Sequence, residues 1–529
     1  MSRGLRLAAL SVAAGAVALG PACASHARPP ASRPAPTRPA TPPTRPAASS
    51  GAPREAPAAP GPPRAASPLP LAAALDAVFD DPLLARALVA VRVDTLGAAP
   101  TTLYARNSGT LVMPASNMKL LTLAVAADRL GWDYRYETRL EATGPIDQGV
   151  LHGDLVVVGG GDPTIAPADA APSPVFAEWI DALRQAGISR VDGRIVGDDR
   201  LFEGAGLGPG WSWDYLAAGY AAPTSALSYN TNQVALQIAP GAVAGDPASI
   251  DVLPAGHGLF VENEVTTGAA GAPASVDLIR MPGDARLVVR GAVPAGGGPV
   301  ARSAAVDEPA KFFAESFRLA VEAAGIPVRD GAWAVGDLAA PPADAGRTVL
   351  ARHLSAPLSE FAGPFMKASV NFDSEMLVRT IGLVATNHGT TTAGRDAERL
   401  TLEAWGVPPD AVVIADGSGL SRYNFVSADA VVAVLTHVWQ DDRLRDPFVA
   451  ALPVAGVDGT LASRMRGTAL AGRVEAKTGT IANVRALSGF LETSSGGHLA
   501  FSAIVNNFTA PSADVDAIVE RALLKIAGG

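Results

Sequence analysis

One cysteine, Cys23, is all that the 529 residues contain, so no intrachain disulfide can form and the fold must rest on its core. Lysine is nearly as scarce: Lys119, Lys311, Lys367, Lys477 and Lys525 are the only lysines among 42 basic residues. Basic stripes are absent. The formal net charge is −9 and the basic residues are scattered among acids, which argues against a nucleic-acid partner. The apolar run Leu7 to Leu19 falls short of the ~20 residues that cross a bilayer. There is no Gly-x-Ser-x-Gly elbow, and the seven histidines, His353 and His437 among them, stand in no triad context, which excludes an ordinary Ser-His-Asp hydrolase. What is present is apolar bulk, with 48% hydrophobic residues, enough for two or more domains with sizeable cores.

Arg3 and Arg6 precede the apolar run, and small residues follow it, which is the pattern of a secretory signal over residues 1–23. Two readings of its end stand side by side. Leu19-Gly20-Pro21-Ala22-Cys23 resembles a lipoprotein cleavage site, which would place a lipid anchor on Cys23, and ordinary cleavage would fall after Ala22 or Ala24. Residues 24–70 are dominated by Pro, Ala, Arg and Ser, a composition that reads as a disordered linker. At ~3.1 Å per residue where extended, such a linker reaches on the order of 100 Å, which favours a tethered protein. The expected location is outside the cytoplasm, in the periplasm or cell envelope, with no contact to the membrane other than the lipid.

The remainder reads as an α+β domain, an antiparallel sheet flanked by helices, interrupted by a long and mainly β insertion: residues 71–140 and 346–529 form the two parts, and 141–345 the insert. A helix is expected over Leu71–Phe79, strands around Val89–Val93 and Thr101–Arg106, and an apolar helix after Pro114 that ends near Gly131. In the insert, Leu155–Val158, Val234–Ile238 and Arg286–Val289 read as strands, and Pro174–Gln185 and Pro309–Ala323 as helices. Strands over Arg473–Thr480, Arg485–Leu491 and His498–Asn506 precede a closing helix capped by Ser512, with Val515, Ile518, Val519, Ala522 and Leu523 on its apolar face.

Three short motifs carry the chemistry. They are Ser116 and Lys119 in Pro-Ala-Ser-Asn-Met-Lys, Ser369 and Asn371 in Ala-Ser-Val-Asn, and Lys477-Thr478-Gly479-Thr480. Each alone is common; in this order on suitable elements they supply what serine acyl transfer needs. Ser116 is the expected nucleophile and Lys119, three residues on and on the same helix face, its base, a role that arginine could not fill because it cannot lose its proton. Ser369 would relay a proton to the leaving amine and Asn371 orient Lys119 and the substrate amide. Lys477, Thr478 and Thr480 would hold an anionic substrate terminus, with Gly479 keeping the strand bare for a pairing peptide. The backbone N–H groups of Ser116 and Thr480 would receive the oxyanion. Neither a metal nor a cofactor is called for. Repulsion from Lys477, together with partial burial, is expected to lower the pKa of Lys119.

With these motifs, and with Gly159-Gly160-Gly161-Asp162-Pro163-Thr164, Leu227-Ser228-Tyr229-Asn230, Asp416-Gly417-Ser418-Gly419-Leu420-Ser421-Arg422 and Gly456-Val457-Asp458-Gly459-Thr460-Leu461, the chain from about residue 71 onward resembles the class C low-molecular-mass penicillin-binding proteins, D-alanyl-D-alanine carboxypeptidases and endopeptidases. The resemblance implies peptidoglycan stem peptides as substrates and β-lactams as inhibitors. It further implies that Arg422 helps to bind the stem-peptide side chain and that Asp198 contacts that side chain's amine; a structural ion pair for Arg422 and a turn role for Asp198 are the plainer alternatives. Val370 stands where the family usually has a polar residue. A class A β-lactamase would need a Glu-x-x-Leu-Asn segment, which is missing. The rival from another class is a penicillin- or peptidoglycan-binding sensor without turnover. The insert is expected to shape the substrate cleft without being needed to build the acylation centre.

Overall fold

The computed structural model describes residues 70–97, 99–167 and 173–528. The expected signal segment, Cys23 and nearly all of the expected linker lie outside the described residues.

The architecture is α+β. Its central sheet has five antiparallel strands, β1 (Leu88–Thr95), β2 (Thr102–Arg106), β3 (Val474–Ile481), β4 (Val484–Glu492) and β5 (His498–Asn506), in the order β3-β4-β5-β1-β2. The first strand thus pairs with β5, whose residues lie more than 400 positions later, as in Leu88 with Asn506. β4 and β5 are buried on both faces and read as near-continuous apolar runs, as covered central strands do. The helices that flank the sheet are α1 (Pro70–Phe79), α2 (Met118–Leu130), α3 (Leu358–Ala368), α4 (Asn371–Thr386), α5 (Thr391–Ala404), α6 (Ala428–Gln440) and α7 (Ser512–Gly528). Helices α1 and α7 pack together over one face of the sheet, α7 burying Val515, Ile518, Val519, Ala522 and Leu523 there. Ser512 is the first residue of α7, so the helix starts one position earlier than a cap at Ser512 would place it. Helix α6 covers the other face.

Helix α2 is the element that matters most for the site. Every residue from Met118 to Ala127 is buried, since α4, α5, α6 and the Ser116 turn enclose it on all sides. Gly131 ends it with φ +83°, a left-handed conformation that favours glycine. Lys119, in the first turn of this helix, is itself fully buried and has no water to solvate its side chain.

Between α2 and α3 the chain builds sheets of its own. The strand Glu137–Ala142 leaves the catalytic half and Thr348–Leu354 returns to it; these two pair antiparallel and form one side of a five-stranded sheet completed by Leu155–Val158, Ile195–Asp198 and Ala332–Ala334. Helices Pro174–Gln185 and Pro309–Ala323 close an aromatic core of Phe176, Trp179, Tyr229, Phe312, Phe313 and Phe317. Two three-stranded sheets lie beyond, around Gln233–Ala239 and Arg286–Pro294.

Candidate active site

Ser116 sits in the 3₁₀ turn Ala115–Asn117 that leads directly into α2. Ala115 is held at φ +47°, and Gly419 packs so closely that a Cβ there would lie 1.8 Å from the Ala115 carbonyl oxygen. Asn117 fastens the turn to the sheet: its amide donates to the Lys477 carbonyl (2.8 Å) and its Oδ1 accepts from Ser488 Oγ (2.5 Å). Ser116 is therefore fixed on both sides.

Lys119 is fully buried, and its Nζ has three neighbours: Ser116 Oγ at 2.9 Å, Asn371 Oδ1 at 2.7 Å and the Ser418 carbonyl at 3.0 Å. The Asn371 amide cannot turn over freely, because its Nδ2 donates to the Tyr220 carbonyl (2.8 Å). Two of the three neighbours are therefore pure acceptors. A neutral amine satisfies both with its two N–H bonds and is left with one lone pair, directed at the only neighbour that can donate, the Ser116 hydroxyl. Burial pushes Lys119 down to about 7, against the opposing pull of the carboxylates Asp416, Glu375 and Asp373. Of the two expected causes, burial is what lowers it, and repulsion from Lys477 is not among its causes. The repulsion falls on Lys477, which burial and the charge of Lys119 together push well below the ordinary lysine range.

Ser369 ends α3 in the left-handed conformation (φ +60°), and Asn371 opens α4. The tight link turns both side chains toward the cleft. Lys477 Nζ donates to Ser369 Oγ (2.7 Å) and to the Thr478 carbonyl (2.9 Å). Val370 between them is half-buried against apolar clusters of both halves of the molecule, so an apolar residue suits that position. Thr478 bonds Thr460 across the cleft (2.8 Å). Gly479 meets a steric demand as well: a Cβ there would come 2.7 Å from the Pro114 carbonyl oxygen and 2.9 Å from Ala486, so glycine is what lets β3 approach the Ser116 turn.

These side chains line one cleft of about 520 Å³, with Ser116, Ser369, Asn371, Thr478 and Thr480 on its walls and Tyr215 and Tyr220 of the insert facing them. A profile of the D-Ala-D-Ala carboxypeptidase 3 (S13) family matches residues 71–524. The chain belongs to that family. A D-alanyl-D-alanine carboxypeptidase from Actinomadura sp. (strain R39) is 39% identical over 466 residues, 84% of this chain and 83% of the relative. Among solved structures, penicillin binding protein 4 (dacB) from Haemophilus influenzae superposes with a TM-score of 0.73 at 24% identity, covering 87% of this chain and 98% of that one. The same protein complexed with a β-lactam gives 0.68 at 23% identity over 86% and 98%. The class C low-molecular-mass penicillin-binding proteins, to which the motifs pointed, are the group in which this carboxypeptidase falls.

Two of the residues expected at the carboxypeptidase site lie apart from its centre. Arg422 is at the rim, donating to the carbonyl of Ala482, a residue of the cleft wall (3.0 Å); it forms no ion pair among the described residues. Asp198 ends a strand of the insert sheet and is buried, its carboxylate engaged by Arg200 (2.6 Å) and Arg347 (3.6 Å) and by the Arg200 backbone N–H (3.3 Å). It is not among the residues lining the cleft. A larger surface cleft of about 650 Å³ lies on the insert, around Asp154, Arg194 and Trp333; its charged groups already pair with one another, Arg194 with Asp154 at 2.7 Å. Among the described residues no cluster suits a metal ion, and no helix is long and apolar enough to cross a membrane.

Sequence reasoning missed the shell behind Lys119. Glu375 of α4 accepts from the backbone N–H groups of Gly417 (3.3 Å) and Ser418 (2.8 Å), and is pushed up to about 8 by burial and by Asp416. Asp416 accepts from Gly419 N–H (2.8 Å), Ser421 N–H (2.6 Å) and Asn424 Nδ2 (2.6 Å). The available signal was the Gly- and Ser-rich run from Asp416 to Ser421, a loop that needs a side chain to hold its amides.

Proposed function

We propose that this D-Ala-D-Ala carboxypeptidase works through an acyl-enzyme on Ser116. A peptide ending in D-Ala-D-Ala lies along the edge strand β3, and Ser116 Oγ attacks the carbonyl carbon of the penultimate D-Ala while its proton passes to Lys119. The oxyanion is received by the N–H groups of Ser116 and Thr480. Ser369 gives a proton to the departing D-alanine amine and is reloaded from the Lys119 ammonium, so the proton taken from Ser116 leaves with the product. Water then attacks the ester, with Lys119 again the base. The substrate's terminal carboxylate is held by Lys477, Thr478 and Thr480; its charge favours the ammonium of Lys477 that the empty cleft disfavours.

The observation that carries this reading is the arrangement at Lys119, a buried amine between two pure acceptors and a serine hydroxyl. A sensor that only binds peptidoglycan has no need of a neutral base. The test is release of D-alanine from a peptide ending in D-Ala-D-Ala: steady release by the wild type and none by Ser116→Ala is expected, and a Ser116→Ala protein that still releases D-alanine refutes it. The same residues serve a D-Ala-D-Xaa cross-link, and mass spectrometry of products from defined cross-linked muropeptides reads that endopeptidase activity directly. Arg422 binds the stem-peptide side chain at the rim, and Asp198 meets its amine once released from Arg200 and Arg347. Arg422→Ala and Asp198→Ala should then impair a stem peptide more than a small thioester, and equal loss on both counts against these two roles. β-Lactams, whose strained amide mimics the D-Ala-D-Ala terminus, acylate Ser116 and block it. The protein acts outside the cytoplasm, held by lipid on Cys23 and joined to it by residues 24–70.

A further inference from the structure

The loop Asp416–Ser421 fixes the base from behind. Its Ser418 carbonyl accepts from Lys119 and its Gly417 carbonyl from Thr122 of α2 (3.0 Å), so the position of this loop decides where the Lys119 lone pair points. A segment of the insert, Glu203–Trp211, is stapled to that loop and to the helix beside it. The indole N–H of Trp211 donates to Asp416 Oδ2 (2.8 Å), Ser421 Oγ donates to the Pro209 carbonyl (2.7 Å), and Arg379 of α4 donates to the Glu203 carbonyl (2.9 Å). The local sequence permits nothing bulkier: a Cβ on Gly208 would lie 2.3 Å from Trp211 Nε1, and one on Gly210, at φ +75°, would lie 2.4 Å from the Tyr423 ring and 2.9 Å from Ser421 Oγ. With Trp211 in place, Asp416 accepts from four N–H donors.

We propose that Trp211 and Asp416 are positioning residues for the acylation step, through which the insert holds the loop whose Ser418 carbonyl aims Lys119 at Ser116. The inference rests on the reading of Lys119 as the base. It differs from the expectation that the insert shapes the cleft without being needed to build the acylation centre, since a second insert group, the Tyr220 carbonyl, accepts from Asn371 on the opposite side of the same amine. The titratable groups around Lys119 are Asp373 and Glu375 of α4, Asp416 of the loop and Lys477 of β3, with Glu398 of α5 behind them, raised by burial and by Glu375 and Asp416.

The experiment measures acylation of the full chain by benzylpenicillin across pH 5.5 to 9 in stopped flow, with thermal unfolding alongside. Trp211→Phe keeps the ring in its slot and removes only the donor; a misaimed base should slow acylation about tenfold, part of the 10²–10⁴ that a positioned base supplies, with the melting temperature nearly unchanged. Asp416→Asn removes a negative charge that favours the Lys119 ammonium, so the acid limb of its rate profile should move to lower pH, by roughly one unit. Wild-type rates for Trp211→Phe at every pH, or an unmoved limb in a folded Asp416→Asn, overturn the proposal, and so does a loss that merely tracks the unfolded fraction. A wild type that forms no adduct on Ser116 overturns instead the reading of Ser116 and Lys119, and the proposal with it.

Discussion

Replacing Lys119 by arginine keeps the positive charge and removes the accessible neutral state, which makes it the sharpest perturbation of the base. With Lys119 lowered by burial to about 7, a free lone pair is readily accessible near neutral pH. Arginine at the same place would offer one in only about one molecule in 10⁵ or fewer. The loss is bounded by what a positioned base contributes, about 10²–10⁴ in rate or about 3 to 5 kcal/mol of barrier. The wild-type rate should rise with pH through about 7, because deprotonation creates the competent form. Lys119→Met is the steric control: it removes the amine at similar volume, leaves Asn371 Oδ1 and the Ser418 carbonyl each short of a donor at about 1–3 kcal/mol, and relieves the burial of an ionisable group. Its stability should stay close to wild type while acylation falls as far as in Lys119→Arg. Lys477→Arg preserves the charge that meets the substrate carboxylate and should be much milder. The assay is stopped-flow acylation by benzylpenicillin, with circular dichroism melts confirming the fold. A folded Lys119→Arg protein that acylates at near-normal rate would place the base elsewhere.

Two other predictions concern the rest of the chain. Glu398 is fully buried, and burial pushes it from 4.5 up to about 8; the folded state therefore keeps a proton that the unfolded state loses, and stability falls as pH rises from 4.5 to 8. Glu398→Gln should become progressively more stable than wild type over that window, by on the order of a few kcal/mol at its upper end, and parallel melting curves at pH 5 and pH 8 would refute the assignment. Cys23→Ser should release the protein from membranes into the soluble fraction, and a wild-type protein already soluble with its N-terminus beyond Cys23 would exclude the lipid anchor.

The parts of the site legible in the sequence are those whose chemistry lies within a few residues. Ser116 and Lys119 are one helical turn apart, Ser369 and Asn371 straddle a single helix junction, and Lys477 to Thr480 form one strand, so each motif reads locally. Helices Pro174–Gln185 and Pro309–Ala323 match their observed ends because a proline at the first position and a periodic apolar face mark them. The shell behind Lys119 was illegible for the opposite reason. Trp211 and Asp416 are 205 residues apart, Lys119 and Ser418 are 299 apart, and two of the three groups that align the amine and its asparagine are backbone carbonyls, which any residue type supplies. Gly479 shows the same limit: its type was readable, but the neighbour that demands it, the Pro114 carbonyl, is seen only after the strand is docked.

The most direct test of the central claim is the covalent one. Purified protein is incubated with benzylpenicillin, and its intact mass and peptide map are recorded beside those of Ser116→Ala. A mass increase of one drug molecule, confined to the peptide that carries Ser116 and abolished in the variant, is the predicted result. An adduct that persists in Ser116→Ala, or one that maps to any other segment, would contradict the assignment of the nucleophile and the mechanism built on it.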